Sequence, residues 1–178
     1  MRRVKMFIAM SLDGFIATED EQLDWLYSVE GEGDNGYGKF MEQVDCVLIG
    51  RKTYDWIRRE SPNEFPYKDQ TCYVFSRTPQ EQTQHVTFIQ EDIGSFIKPL
   101  KTELGRTIWV VGGGEILRAC LEANVIDEII VTIAPVILGK GVPLFVGLAQ
   151  QKSLTLIGTQ QFNQFIELHY KVNVAESC

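Results

Sequence analysis

Residues 108–117 constrain the fold of this chain more than any other stretch, because an apolar run meets three consecutive glycines there. The run Ile-Trp-Val-Val is typical of a buried strand, and the apolar residues after the glycines recur at the spacing of one helix face. The stretch therefore predicts a strand that passes through a tight turn into a short helix. Such turns are frequent in α/β proteins.

The glycine turn has two possible roles. The first amides of a helix have no partner within it, and the aligned peptide dipoles leave partial positive charge there, so anions are favoured. Because Gly112, Gly113 and Gly114 lack a Cβ, a phosphate or a flat ring can approach the backbone closely. The glycines can equally serve only to make a tight turn. The stretch is not the dinucleotide pattern G-x-G-x-x-G, since Leu117 occupies the place of the last glycine.

Composition predicts one compact domain over residues 1–178. The chain is 44% hydrophobic, which suffices for a core without metal or disulfide support. Its 24 acidic and 17 basic residues give a net charge of −7, which disfavours nucleic acid or an anionic membrane as a partner. No apolar run approaches the ~20 residues of a membrane span, and no cleavage pattern follows the first strand, so we expect a cytoplasmic protein.

The four cysteines indicate neither a metal site nor a disulfide framework. Cys46, Cys72, Cys120 and Cys178 are far apart, without a C-x-x-C pair or a nearby histidine. We therefore expect no metal. All except the terminal Cys178 are predicted to be reduced thiols in the core.

Two further strand ends repeat the anion-binding pattern. A predicted strand at residues 45–50 ends in Gly50 and runs into a helix that begins Arg51-Lys52-Thr53, where cations oppose the helix dipole unless an anion is present. A third strand, residues 71–75, precedes Ser76 and Arg77. Each turn alone is compatible with a solvated polar loop. Three such ends with matching chemistry predict one shared ligand edge.

The remaining segments are less specific. Residues 19–38 are polar and glycine-rich, with a short helix at 23–27, and are predicted to form a mobile lid. A helix at residues 93–104 should kink or stop early at Pro99. The apolar loop 134–145 should pack on a ligand or a neighbouring subunit, which suggests a homodimer. Alternation at residues 164–172 predicts a half-exposed antiparallel strand at the end of the sheet, with His169 on its wet face.

An ordered set of segments resembles the dihydrofolate reductase-like family, which includes the C-terminal reductase domain of the riboflavin biosynthesis protein RibD. The segments are F-I-A-M-S-L-D-G-F-I-A at 7–17, D-W at 24–25, L-I-G-R-K-T-Y at 48–54, S-R at 76–77, V-G-G-G at 111–114 and A-P-V-I-L-G-K-G at 134–141. They cover nearly the whole chain in the family's order.

The resemblance implies a fold, a cofactor and a set of site residues. The fold is α/β with three layers, in which a mixed, mostly parallel sheet of about eight strands carries helices on both faces. The cofactor is NADPH. Its nicotinamide would be bordered by Ala9 and Ile16, and its phosphates would be bound at the three turns. The turn residues implied are Gly50, Arg51, Lys52, Thr53, Ser76, Arg77, Gly112, Gly113, Gly114 and Glu115.

Departures from the family limit what the resemblance implies about the reaction. No H-x-E with P-C-x-x-C occurs, so the RibD deaminase activity is not expected. Dihydrofolate reductases carry a carboxylate before the G-R-x-T turn that helps to protonate the pterin. Asp34 lies at about that distance before Gly50, with Asp13 and Asp24 as alternatives. Asp34 can also serve as an N-cap for a helix at residues 35–43.

The sequence therefore predicts an NADPH-dependent reductase that transfers a hydride to a small heterocyclic substrate, either a pterin or a pyrimidine riboside. The cofactor supplies the chemistry, while the protein orients the reactants and excludes water. A protein that binds NADPH or a flavin nucleotide without turnover is the alternative.

Overall fold

The computed structural model describes residues 1–173, which form an eight-stranded sheet and a two-stranded sheet. The strands are β1 Val4–Ser11, β2 Phe15–Ala17, β3 Val44–Gly50, β4 Thr71–Phe75, β5 Thr87–Ile89, β6 Thr107–Gly112, β7 Glu128–Ala134, β8 Val142–Pro143, β9 Leu154–Phe162 and β10 Phe165–Val172. The helices are α1 Asp24–Tyr27, α2 Tyr37–Met41, α3 Arg51–Glu60, α4 Ile93–Leu100 and α5 Gly114–Glu122.

The large sheet has the order β5-β4-β3-β6-β1-β7-β10-β9. Strands β5 to β7 in this order are parallel, whereas β10 pairs antiparallel with both β7 and β9. Strands β2 and β8 form the separate antiparallel pair. The mixed, mostly parallel sheet agrees with the fold implied by the resemblance.

Helices cover both faces of the sheet. Ile97 of α4 and Leu117 of α5 are buried in a cluster with Met6 of β1. Phe40 of α2 and Ile57 of α3 are buried in a second cluster on other side chains of the sheet. Because successive strand residues point to opposite faces, the continuous apolar runs of the central strands supply both clusters. The result is the three-layer arrangement.

The direction of the chain across the sheet reverses between β3 and β6. From β3 the chain continues through α3 to β4, on the outer side. From the adjacent β6 it continues through α5 to β7, beyond β1. Helices α3 and α5 therefore leave neighbouring strands in opposite directions, and the crevice between their first turns is where open α/β sheets usually bind ligands.

Two predictions about individual elements change in the structure, and for a third the structure decides between two alternatives. Helix α4 ends at Leu100, directly after Pro99, and Leu104 beyond it is fully exposed, so the early stop is the correct alternative. Strand β10 is not at the end of the sheet, because a tight β9–β10 hairpin places β9 outside it. His169 is half-buried and bonds Glu128 at 2.8 Å.

Three of the cysteines lie in the core as predicted. Cys46, Cys72 and Cys120 are buried free thiols, and burial raises the pKa of each to about 12. Cys178 lies outside the described residues. Within residues 1–173 no helix is long and apolar enough to cross a membrane.

Candidate cofactor and substrate site

Two helices start at the crevice without a side-chain cap. The N-cap residue of α3 is Gly50 and that of α5 is Gly113, and in neither helix does an N-cap side chain accept a hydrogen bond from the first amides. Helix α4, which begins elsewhere, is capped by Asp92, whose carboxylate accepts the Ser95 amide at 2.8 Å. The first amides of α3 and α5 thus retain their capacity to donate to an anion.

The two helix starts are in direct contact. The Gly113 amide donates to Thr53 Oγ1 at 3.0 Å, so the first turn of α3 is bonded to the triple-glycine turn. A Cβ at Gly113 would stand 3.3 Å from the same oxygen, and a Cβ at Gly50 would stand 3.5 Å from the Gly112 carbonyl oxygen. Gly112 also has a φ of +131°, which side chains rarely adopt. The backbone path therefore favours glycine at Gly112, while the distances at Gly50 and Gly113 show that the two turns pack closely.

Cations surround the two turns, and their carboxylate partners only partly neutralise them. Arg51 bonds Asp55 through Nε at 2.8 Å. Lys52 and Arg77 both approach Glu115, at the long distances of 3.8 and 3.9 Å. The Arg77 side chain is 91% exposed, so it is available to a ligand. Three cations against two carboxylates leave a positive edge on an otherwise acidic protein.

Ser76 has a local role that the sequence did not predict. It is buried, and its Oγ donates to the Thr78 carbonyl at 2.8 Å while its amide donates to the Ile89 carbonyl at 2.9 Å. These bonds fix the turn after β4 and so position Arg77.

Ala9 and Ile16 lie on the other side of the crevice. Ala9 pairs with Thr132 in β7, and Ile16 on β2 packs against the α4–α5 side of the core. A Cβ at Gly112 would lie 3.5 Å from Ile8 Cδ1, which shows that β1 borders the glycine turn. The structure thus brings the predicted cofactor residues to one edge of the sheet.

Asp34 and Asp13 each hold a loop in place. Asp34 accepts the amides of Gly36 and Gly38 at 3.0 and 2.7 Å, so both of its oxygens stabilise the start of α2. Asp13 accepts from the Ser11 hydroxyl and from the amides of Leu138 and Gly139. The Ser11 hydroxyl, followed by these amides, lowers the pKa of Asp13. Asp13 therefore remains ionised near neutral pH and is a poor proton donor.

The apolar loop 134–145 packs partly on its own chain. The Asp13 carboxylate accepts the Gly139 amide in the middle of the loop. Val142 and Pro143 pair with β2, and Leu144 is buried. Ile137 and Phe145 are 72% and 46% exposed. Only part of the loop is left for a ligand or a neighbouring subunit.

A cavity of about 380 Å³ lies between α1 and α3, and Asp24 contributes to its lining. Trp56, Tyr67 and Tyr27 give it aromatic walls. Thr53 and Trp56 are three residues apart and therefore share a face of α3. On α3 the lining begins at Trp56, so the cavity lies about one helical turn beyond Thr53 along this helix. A larger hollow of about 550 Å³ lies within the loop from Glu60 to Lys68 and does not include any of the glycine turns.

One contact across the cavity was not predicted. The Trp56 indole donates to the Glu21 carbonyl at 3.1 Å, and Arg59 donates to the Glu21 carboxylate at 3.0 Å. These two bonds attach the loop before α1 to α3. No sequence pattern around Glu21 indicates such a partner. The predicted lid is therefore anchored at its N-terminal end.

Comparisons with known proteins agree with this architecture. The model of the RibD C-terminal domain matches residues 2–168. The uncharacterized protein YwjB of Bacillus subtilis (strain 168) is 48% identical over 170 residues, which are 95% of this chain and 97% of that protein. The crystal structure of a putative riboflavin biosynthesis protein from Shewanella sp. PV-4 aligns with a TM-score of 0.87 at 30% identity, over 97% of this chain and 99% of that one.

A more distant structure supports the fold alone. It is a dihydrofolate reductase from Enterococcus faecalis, complexed with NADP(H) and RAB-propyl, and it aligns at 13% identity with a TM-score of 0.64 over 97% of each chain. The resemblance and the fold predicted from the sequence are confirmed.

Proposed function

The chain belongs to the RibD C-terminal domain family, and on that premise we propose that it is an NADPH-dependent reductase of a small heterocyclic substrate. The observation that carries the proposal is the pair of uncapped helix starts at Gly50 and Gly113, which meet at the reversal point of the sheet. Together they present a net positive charge and the amides that follow Gly50 and Gly113 to one ligand, while the Gly113 amide itself is bonded to Thr53. A dinucleotide phosphate group matches both features.

The residues of the edge fit NADPH in distinct ways. The free amides of the α5 start suit the pyrophosphate, because Leu117 makes the first backbone bond into that helix, to Gly113. The Glu115 amide belongs to this group, whereas its carboxylate faces Lys52 and Arg77. Arg77 and Lys52 suit the adenosine 2′-phosphate, which distinguishes NADPH from NADH.

The protein's part in the reaction is to orient the substrate and exclude water. NADPH held by these residues would supply a hydride to the carbon of a carbon–nitrogen double bond or of a ribose-type carbonyl, and the nitrogen or oxygen of that bond would take a proton. The cavity beside α3 would hold the ring next to the cofactor edge. The loop attached through Glu21 would close over it.

The proton donor is either water or a carboxylate. Of the three candidates Asp13, Asp24 and Asp34, we favour Asp24, since it lines the cavity while the other two hold backbone amides. Asp24→Asn should lower turnover and leave NADPH affinity unchanged.

Titration with NADPH and NADH tests the cofactor assignment. We expect quenching of tryptophan fluorescence with tighter binding of NADPH. Arg77→Ala should weaken NADPH binding about tenfold, by the loss of a charge-assisted contact, and leave NADH binding unchanged. Arg58→Ala is the matched control, because this exposed arginine lies in the last turn of α3. Equal affinity of the wild type for both cofactors would contradict the assignment.

Turnover distinguishes the reductase from a binding protein. NADPH oxidation should be detected at 340 nm with a dihydropterin or a pyrimidine riboside. Cofactor binding without oxidation of NADPH by either class would favour the alternative, a protein that binds NADPH without its own turnover. Tighter binding of FMN than of NADPH would favour a flavin-nucleotide protein.

We further propose that the protein is a cytoplasmic homodimer. The exposed Ile137 and Phe145 of the loop 134–145, together with Leu156 and Ile157 on the edge strand β9, provide apolar surface for a second copy. A monomeric mass by sedimentation at micromolar concentration would reject the dimer.

A further inference from the structure

The cavity between α1 and α3 has the position and the walls of a binding site for a flat ring. Thr53, Trp56 and Glu60 share one face of α3, and Thr53 bonds the triple-glycine turn. At a rise of 1.5 Å per residue, Glu60 lies about 10 Å along the helix from Thr53. The α3 residues that line the cavity run from Trp56 to Glu60, so the cavity begins about one helical turn beyond Thr53 and reaches the end of α3. Its volume of about 380 Å³ lies in the range of small-molecule sites.

The aromatic walls are fixed in position on one side. The Trp56 indole is bonded to the Glu21 carbonyl, and Tyr67 packs edge-on against Phe65 and Trp109 at centroid distances of 5.7 and 5.4 Å. Tyr27 on α1 stands 74% exposed at the same cavity. Fixed aromatic rings provide stacking surface for a planar heterocycle at little entropic cost.

The charge of the cavity is negative. Glu21, Asp24 and Glu60 line it, and within residues 1–173 no lysine, arginine or histidine does. Arg59 pairs with two of these carboxylates, Glu21 at 3.0 Å and Glu60 at 3.5 Å. One cation against three carboxylates leaves two negative charges. This is the opposite sign to that of the cofactor edge.

From this contrast we infer that the substrate is a planar heterocycle that carries neutral or cationic substituents and no phosphate or carboxylate. The inference rests on the proposed reductase function and specifies its substrate class. An anionic substituent within the cavity would meet like charge at Glu60 or Asp24, and the Arg59 guanidinium is already shared between two carboxylates.

Two matched pairs of ligands test the inference. The first pair is 5-amino-6-(ribosylamino)uracil and its 5′-phosphate. The second is 6-hydroxymethyl-7,8-dihydropterin and dihydrofolate, which carries a glutamate. Dissociation constants are measured by calorimetry in saturating NADP⁺, so that no turnover occurs. We expect the uncharged member of at least one pair to bind about tenfold or more tightly than its anionic partner, since two like charges face the anion.

Charge reversal at the cavity provides the decisive comparison. Glu60→Lys should reduce the ratio within the pair to about threefold or less, because Glu60 is an exposed residue whose replacement removes one repulsive charge and adds an attractive one. Glu103→Lys makes the same change of charge after α4, at the opposite edge of the sheet, and should leave the ratio unchanged.

Other outcomes would overturn the inference. They are an anionic member that binds as tightly as its neutral partner, a ratio that Glu60→Lys does not alter, or binding of neither pair by a protein that does bind NADP⁺. In these cases the proposed cofactor site would be unaffected. Failure to bind NADP⁺ or NADPH would refute the proposed function itself, and the substrate class with it.

Discussion

Replacing Thr53 by valine tests whether the contact between the two helix starts organises the site. Thr53 Oγ1 accepts the Gly113 amide at 3.0 Å in a partly buried position. Valine has nearly the same shape but no acceptor, so the amide loses its partner. An unsatisfied buried donor costs about 1–3 kcal/mol, and partial exposure places this one near about 1 kcal/mol.

Two measurements follow from that magnitude. For a chain of this length, about 1 kcal/mol lowers the melting temperature by about 2–4 °C. If the same bond holds the glycine turn ready for the cofactor, NADPH affinity should fall about fivefold, which corresponds to about 1 kcal/mol. Thermal unfolding and fluorescence titration measure the two effects separately.

Thr53→Ser is the matched control, because serine keeps the hydroxyl oxygen. It should retain most of the cofactor affinity. If Thr53→Val bound NADPH like the wild type, or if the serine variant were as weak as the valine variant, the hydroxyl–amide bond would have no part in organising the site.

Three more predictions concern the scaffold and its loops. Leu117→Ala should lower the free energy of unfolding by about 2–5 kcal/mol in chemical denaturation, because Leu117 is 1% exposed, whereas Leu104→Ala should change it little. The pKa of Asp13 is lower in the folded protein than its unfolded value of 3.8, so ionised Asp13 stabilises the loop 134–145 at pH values above 3.8. This contribution is lost as the pH falls through the lower, folded pKa. Hydrogen exchange in that loop should therefore accelerate below about pH 4. Trp56→Phe should speed proteolysis near Glu21, since it removes one of two bonds there.

Each of the three has a contradicting result. An equal loss of stability in the two leucine variants would show that Leu117 of α5 is not packed in the core. Unchanged exchange of the loop amides in Asp13→Ala would show that the carboxylate does not hold the loop. Proteolysis of the Trp56 variant at the wild-type rate would mean that the indole bond does not anchor the lid.

Local patterns in the sequence predict the framework of the site well. The apolar run of β6, the glycines after it and the helical spacing of α5 lie within residues 107–122, so one window contains the strand, the turn and the helix. The same holds for β3 with Arg51, Lys52 and Thr53. These turns are parallel-strand ends, and their meeting at one edge follows from the topology of such sheets.

Contacts between distant segments cannot be predicted from local sequence patterns. Asp13 binds amides more than a hundred residues away, and Trp56 bonds a carbonyl in the loop before α1. No periodicity or spacing marks either pair, since each depends on where an irregular segment lies against a distant part of the chain. The prediction that residues 164–172 end the sheet is wrong for a similar reason, because alternation identifies a half-exposed strand but does not tell which member of a hairpin lies outside.

The site has two halves, the cofactor edge and the cavity beside α3, and only the cofactor edge could be predicted from the sequence. The cofactor edge is made of strand ends and helix starts, whose geometry is fixed by the sheet. Short contiguous motifs therefore contain the residues that determine its chemistry. The cavity beside α3 is lined by the loop attached through Glu21 and by aromatic residues from separate segments. Substitutions in that loop can change the charge and shape presented to a substrate without moving Thr53 or the glycine turn. Members of this family that share the cofactor motifs should therefore differ most in the residues that correspond to Glu21 and Glu60.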